Sequence, residues 1–420
     1  MSDVHTGQPA NTDPDAAATV ASAVAAAPFV RIYGHADGDA LAAVGLLAVA
    51  LRTRQVPFQI HVSTDPAGAA TPVSEVDTED ASASAEGTDE PTGDDSLRLL
   101  VTQGRRDNAD AAVPPLGDSR PASVTAAAIS RELGVDPDPL LALAGVIAAG
   151  SMPGTDGSGN LLEQAEQRGL VVRRPGIALP TADLADGLAH STRITASFSG
   201  DQEATQALLA ALDLPADLDD DAQRRLASIV AVETVTAEEA SPRAADSVEA
   251  ALRPYGTPTG PFETLGGYAD VLSALACETP GVAVGLALGA ADSKTDALDT
   301  WGEHADAAHQ ALTESLTGRY EGVFVCRVRT DRPSALPTVA RLAHDFRSPE
   351  PVTLVVTSEP VDGTRHLAAV AGEPQGLADV LSSVATEFGA SAGGTPTNAT
   401  LRVDERVDES ELLAAIREAL

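Results

Sequence analysis

Apolar and polar positions recur along this chain with two different periods, and the switches between them mark its elements. Residues 28–33 (PFVRIY) read as a strand that runs into a tight Gly34-His35-Ala36-Asp37-Gly38-Asp39 turn. A helix at 40–54 and a second strand at 58–63 follow. Strand, turn, helix and strand make a βαβ unit, which implies a parallel sheet with functional loops at the strand C-termini. A further strand is expected at 97–101 and helices around 122–133 and 139–149, the first entered through Ser119 and Pro121. The alternation is weaker over 150–261, where 204–211 and 223–232 read as helices. A second α/β alternation follows the apolar stretch 282–288 (VAVGLAL), read as a strand. It comprises helix 297–316, strand 322–327, helix 336–345, strands 352–356 and 365–370, helix 377–388, strand 399–403 and a closing helix at 409–420. A Gly- and Thr-rich turn fills 388–398, and no internal repeat is evident.

Length and composition bound this picture. At about 100–200 residues per domain, 420 residues suggest two or three domains. Residues 1–27, rich in Ala and Asp, are expected to be a mobile end with some helix. Residues 71–96 carry nine acids and no basic residue, and read as a disordered, solvated insertion. The formal net charge is -35, 26 of the 27 basic residues are arginine, and Lys294 is the only lysine. With 43% hydrophobic residues in periodic segments, general disorder does not explain that acidity. Adaptation to molar salt does, because there the Debye length shrinks to about 3 Å and surface carboxylates hardly repel one another. The usual inference from acidity against a nucleic-acid partner therefore loses its force.

Two cysteines, Cys277 and Cys326, exclude a disulfide framework or a thiolate cluster, and a reducing cytoplasm fits. The start has no basic region before an apolar core, so no secretory signal is expected. The longest apolar runs, 40–51 and 140–150, fall short of the roughly 20 residues that a membrane span needs.

The sharpest candidate chemistry is His35-x-Asp37-x-Asp39 at the end of the first strand. Two carboxylates at i and i+2, after a glycine and beside a histidine, suit a hard divalent cation such as Mg²⁺ or Mn²⁺. Acid-rich turns are common in this chain, so a solvated turn is the plainer alternative. Arg365 offers a planar fork for phosphate, and Gly393-Gly394 allows close backbone approach, although an arginine paired with one of 62 acids explains the first equally well. No Ser-His-Asp set, cysteine nucleophile or Walker-type loop is present, and His304 and His309 lie five apart, the wrong spacing for a joint metal site.

The His35-x-Asp37-x-Asp39 turn, leading into Ala-Leu-Ala-Ala-Val-Gly-Leu-Leu, resembles the first motif of the DHH phosphoesterases, the RecJ-type nucleases. The turn Phe388-Gly-Ala-Ser-Ala-Gly393-Gly394 resembles the glycine motif of their DHH-associated substrate-binding domain. Thr364-Arg365 stands where that domain carries a Ser/Thr-Arg pair. Residues 262–289 resemble the segment joining the two domains in archaeal RecJ, and 123–145 fit the helices after the third motif. The resemblance implies an α/β, two-domain DHH phosphoesterase architecture. A parallel-sheet domain would span 28–260 and a smaller α/β DHH-associated domain 261–420. It further implies metal contact by His35, Asp37 and Asp39, and substrate contact by Arg365, Gly393, Gly394 and Thr395.

The departures from the family bear on activity. Two-metal hydrolysis needs several acids holding ions about 3.5–4 Å apart. Here no two histidines are adjacent, strand 97–101 ends in Thr102-Gln103, and the expected triplet region reads Asp110 to Asp118 without a histidine. Asp107, Asp110 and Asp118 are the available substitutes. Ala149 replaces an aspartate, and Thr395 stands in place of the histidine of a Gly-Gly-His motif. The expected function is thus a RecJ-like protein that has lost most nuclease ligands and works as a single-strand nucleic-acid-binding or scaffold subunit. The family precedent is the RecJ-derived subunit of the replicative helicase, which binds GINS and single strands. A GINS-type or other replication or repair partner is implied, in a salt-adapted archaeon. The rival readings are an active Mn-dependent exonuclease or phosphodiesterase with displaced ligands, and a structural partner of RNA or ribosome machinery.

Overall fold

The computed structural model describes residues 14–64, 96–102, 116, 120–212, 218–237 and 240–420. Apart from Ser96, the acidic insertion lies outside them, as do Asp107, Asp110 and Asp118. Within the stretch expected as a mobile end, helix α1 (Pro14–Ala26) buries Ala17, Val20, Ala21 and Val24, a helical i, i+3, i+4, i+7 face. That face joins the first core, which gives the segment a reason to be ordered.

The βαβ unit is as expected. Strand β1 (Val30–His35) buries Val30 and Ile32 and turns Arg31 outward. Helix α2 (Gly38–Arg54) is apolar on nearly every side and crosses over to β2 (Phe58–Ser63). β1 pairs in parallel with β2 on one side and with β3 (Leu97–Val101) on the other. Helices α3 (Ala122–Glu132), α4 (Pro139–Ala148) and α5 (Gly159–Gln167) follow. At Gly145 an added Cβ would lie 2.6 Å from Ser123 and 2.8 Å from Ala42, so glycine there lets α2, α3 and α4 close on one another.

Next comes a helical segment with its own core around Leu188, Ile194, Leu226 and Val230. It holds β4 (Val172–Arg173), α6 (Leu184–His190), α7 (Gln202–Ala211), α8 (Asp220–Val235), α9 (Ala244–Ala251) and β5 (Tyr255–Gly256). β4 and β5 form a short antiparallel ladder. Helices α10 (Leu265–Glu278), α11 (Pro280–Ala287) and α12 (Ser293–Thr313) then return to the first core, which extends as far as Trp301. Residues from Phe262 to Trp301 thus contribute to the first core.

Residues 282–288 are not a strand. Pro280 opens α11 at a position where its missing N–H costs nothing, and Gly289 follows it with φ 77, so the helix is bounded by its own start and stop residues. Of the run only Ala283 is buried and the rest is half-buried, with Ala287 against Gly45 of α2.

The C-terminal region is a second, mixed sheet. Its elements are β6 (Leu316–Tyr320), β7 (Val323–Val328), α13 (Leu336–Phe346), β8 (Val352–Thr357), β9 (Thr364–Ala371), α14 (Leu377–Phe388), β10 (Ser391–Gly394), β11 (Asn398–Asp404) and α15 (Glu409–Ala419). The strand order is β10-β11-β9-β8-β7-β6, with only β7 and β8 parallel. Alternate residues build two cores. Val325, Leu354, Leu367 and Leu401 face α14 and α15, while Cys326, Val355 and Ala368 face α12 and α13. The helix expected to reach 316 stops at Thr313, so that Leu316 can start edge strand β6.

A buried polar junction joins the parts. Asp270 of α10 accepts from the Thr192 amide (3.0 Å), the Thr192 hydroxyl and Trp301 Nε1 (3.1 Å). Arg341 of α13 donates to Thr192 O (3.1 Å) and Oγ1 (2.9 Å). Among the described residues, no helix is long and apolar enough to cross a membrane.

Candidate functional site

The end of β1 delivers His35 to a turn whose two aspartates each serve a helix. Asp37 is the N-cap of α2: its Oδ1 accepts from the Ala40 amide at 2.8 Å, and its Oδ2 lies 2.8 Å from His35 Nδ1. Asp39 is fully buried and reaches across to α3, whose own N-cap, Pro121, offers no side-chain acceptor. Its Oδ2 accepts from the Ala122 amide (2.6 Å) and its Oδ1 from the Ser123 amide (3.0 Å). Both orphan donors are thereby satisfied by one carboxylate at the positive end of the helix.

Burial, and then the neighbouring charge of Asp37, push the Asp39 carboxyl up to about 7, against the opposing pull of the Ser123 and Ala122 amides. The turn is closed from above. A Cβ at Gly38 would lie 2.8 Å from Ala148 of α4 and 2.9 Å from Ser273 Oγ of α10. Beside it, burial pushes the Cys277 thiol up to about 12, reinforced by the charges of Glu278 and Asp37, so it is not a poised nucleophile.

The hydrogen bonds of the turn assign its carboxylates to the helix ends. All four carboxylate oxygens of Asp37 and Asp39 are already engaged, three of them by main-chain amides of α2 and α3. Among the described residues, no group of three or more His, Cys, Asp or Glu is placed to hold a metal ion. Two of the positions that depart from the nuclease pattern lie among the described residues. Buried Thr102 ends the β3 region, and Ala149 is the C-cap of α4.

The expected phosphate contacts are not brought together either. Arg365 pairs in register with Val403 and Gly394 with Ala399, at opposite ends of β11. The Arg365 side chain is 11% exposed; its Nη1 donates to Thr357 O at 2.7 Å and meets Glu409 Oε2 at 3.2 Å. Glu409 binds Arg327 through its other oxygen. Gly393 lies in edge strand β10 opposite Thr400, which corrects the turn expected over 388–398. Gly394, at φ 148, is demanded by packing, since a Cβ there would lie 2.3 Å from Asn398 O. Thr395 is buried and closes the same corner: its Oγ1 accepts from the Asn398 amide at 3.1 Å.

Sequence reasoning missed a second constellation. Arg173, Arg174, Arg224 and Arg253 line one cavity of about 600 Å³ between β4, β5 and α8. The local signals were the Arg173-Arg174 and Arg224-Arg225 doublets in an acid-rich chain.

Residues 315–418 match the family described as uncharacterized protein rrnAC1427, C-terminal domain. Over 404 residues the chain is 43% identical to the uncharacterized protein rrnAC1427 of Haloarcula marismortui, with 96% of each chain covered. CDC45 from Entamoeba histolytica superposes with a TM-score of 0.55 at 9% identity, over 97% of this chain and 99% of that one. RecJ in complex with Mn²⁺ from Thermus thermophilus gives 0.47 at 15% identity, over 97% of this chain and 54% of that one. The chain thus spans about half the length of that RecJ.

Proposed function

The chain belongs to the family of the haloarchaeal protein rrnAC1427 and has a RecJ-like DHH fold, and we propose that it is a non-hydrolytic member of that fold. In this reading it serves in the cytoplasm of a salt-adapted archaeon as a single-strand nucleic-acid-binding or scaffold subunit, with a replication or repair protein such as GINS as partner. One observation carries the loss of hydrolysis: the carboxylates of the surviving motif hold helix amides, and no metal set surrounds them among the described residues. A two-metal site needs several carboxylates aimed at a common point. The binding role is supported by the retained two-domain fold and by the precedent that the resemblance supplies.

The test is a nuclease assay on single strands with Mn²⁺ in molar KCl, comparing the wild type with Asp37→Asn. Asparagine remains a good N-cap, so the variant should fold, yet it loses the negative ligand. Neither protein should turn over substrate, and both should retain the same single-strand affinity. Turnover by the wild type that disappears in Asp37→Asn overturns the proposal in favour of a working exonuclease or phosphodiesterase. Crosslinking in molar KCl that recovers no replication or repair protein, together with no single-strand binding, overturns the scaffold role.

A further inference from the structure

The cavity between β4, β5 and α8 concentrates charge where the chain as a whole is strongly negative. With 27 basic residues against 62 acids, four arginines share this one lining, and no Asp or Glu belongs to it. Arg173, Arg174 and Arg253 make no ion pair with a carboxylate among the described residues. Arg224 meets Asp220 at 3.7 Å and also Asp221, on the solvent side of α8. Glu409, by contrast, neutralises both Arg327 and Arg365. Arginines without a carboxylate partner occur elsewhere too, such as Arg243, which binds main-chain carbonyls, and Arg417, which lies over Tyr320; what sets this cavity apart is that four arginines gather on one lining that holds no acid.

The backbone holds them in fixed positions. Arg173 stands opposite Tyr255 in the β4/β5 ladder, with its guanidinium carbon 5.0 Å from the ring centroid. The Arg174 amide donates to Pro254 O at 3.2 Å, and its side chain lies over Gly256, where a Cβ would come within 2.9 Å of Nε. Arg253 takes φ 51, a left-handed conformation that favours Gly or Asn, and is tied there by its amide to Gly176 O at 3.1 Å. A strained, charged residue facing a cavity is the pattern expected when function outweighs local stability. The opposite wall is one face of α8, where Arg224, Ala227, Ser228 and Ala231 recur at helical spacing, and Leu252 adds to the apolar floor.

We infer that this cavity is a binding site for an oligophosphate anion of nucleotide size. The volume is that of a small-molecule pocket. Arginine forks bind phosphate oxygens in pairs, and the Ala227, Ala231 and Leu252 floor suits a sugar or base. A track for a single strand would need a longer groove with free aromatic platforms, whereas the one aromatic beside this cavity, Tyr255, is already covered by Arg173. Nothing in this site depends on whether the β1 turn hydrolyses anything.

The test is titration of the full chain in molar KCl with ATP, inorganic tripolyphosphate, adenosine and a twelve-residue oligothymidylate, read by calorimetry and thermal shift. At that salt the Debye length is about 3 Å, so binding reports direct contact. ATP and tripolyphosphate should bind and raise Tm, while adenosine should not. Arg253→Gly suits the left-handed backbone, so its Tm should equal or exceed that of the wild type, while its affinity for ATP falls at least tenfold. Arg174→Gln should lose affinity similarly. Absence of binding by both ATP and tripolyphosphate overturns the inference. So does an Arg253→Gly protein that binds ATP as tightly as the wild type, and so does binding of the oligothymidylate alone.

Discussion

Replacing Asp39 by alanine separates a helix cap from a metal ligand. The substitution leaves the Ala122 and Ser123 amides buried without acceptors. At about 1–3 kcal/mol for each unsatisfied donor, the loss is roughly 2–6 kcal/mol, a large part of a domain's stability. The carboxyl's own ionisation opposes this. Its pKa is pushed from the ordinary 3.8 to about 7, so the folded state binds the proton more tightly than the unfolded chain. Between these values the wild type loses stability as pH rises, by about 4 kcal/mol over the whole window. Alanine removes that slope. Urea unfolding of both proteins in molar KCl should therefore show a destabilisation that is larger at pH 5 than at pH 8, by about 3 kcal/mol. Unfolding of Asp39→Ala within about 0.5 kcal/mol of the wild type at both pH values, the range typical of surface substitutions, would refute the capping role. Asp39 would then be free to serve another ligand.

Two further outcomes follow from the same geometry. Arg365→Ala should cost about 1–2 kcal/mol by leaving the Thr357 carbonyl without its donor and Glu409 with Arg327 as its remaining partner, and should leave single-strand affinity within about twofold at fixed salt; a binding loss without a stability loss, measured by titration and urea unfolding, would return Arg365 to a phosphate site. His309, pushed down to about 4 by burial, hydrogen-bonds through Nε2 to Ser191 O at 3.0 Å, which requires a proton on that nitrogen. Its folded pKa lies below the unfolded value, so stability is full above about pH 6.5 and falls by about 3 kcal/mol as pH drops toward 4. His309→Gln should flatten that acid limb, and an unchanged slope would refute the assignment.

Much of the fold is legible because the periods are local. Val30 and Ile32 against Arg31, and the alternation of 352–356 into two cores, follow from side chains pointing to opposite faces of a strand. Residues 282–288 misled because an all-apolar run carries neither period, and only Pro280 and Gly289 distinguish helix from strand. β10 was hidden for a different reason. Ser-Ala-Gly-Gly has no strand formers, and its conformation is imposed by pairing with β11. The site was legible in identity but not in role. Whether Asp39 holds a metal or a helix depends on a partner 83 residues away. The arginine cavity is assembled from positions on β4, α8 and the β5 approach, and the arginine doublets at 173–174 and 224–225 do not by themselves say that they meet.

Abundance decides how much each motif tells. Aspartates are plentiful here, and Asp138, Asp183, Asp201, Asp219 and Asp408 all cap helices through their side chains, Asp201 and Asp219 by accepting from the amide three residues on as Asp37 does. An aspartate pair at the end of a strand is therefore what helix capping alone would leave in this chain, and its survival is weak evidence for a metal. Arginine is the scarce resource. Four arginines on one cavity lining that holds no Asp or Glu, among 62 acids and in a molecule of net charge -35, depart from what composition would produce. That one of them is held in a left-handed backbone adds to the departure. The same composition that drains meaning from the acidic turn adds it to the basic cavity, so the better-supported ligand site lies in the helical segment and not at the turn that resembles the nucleases.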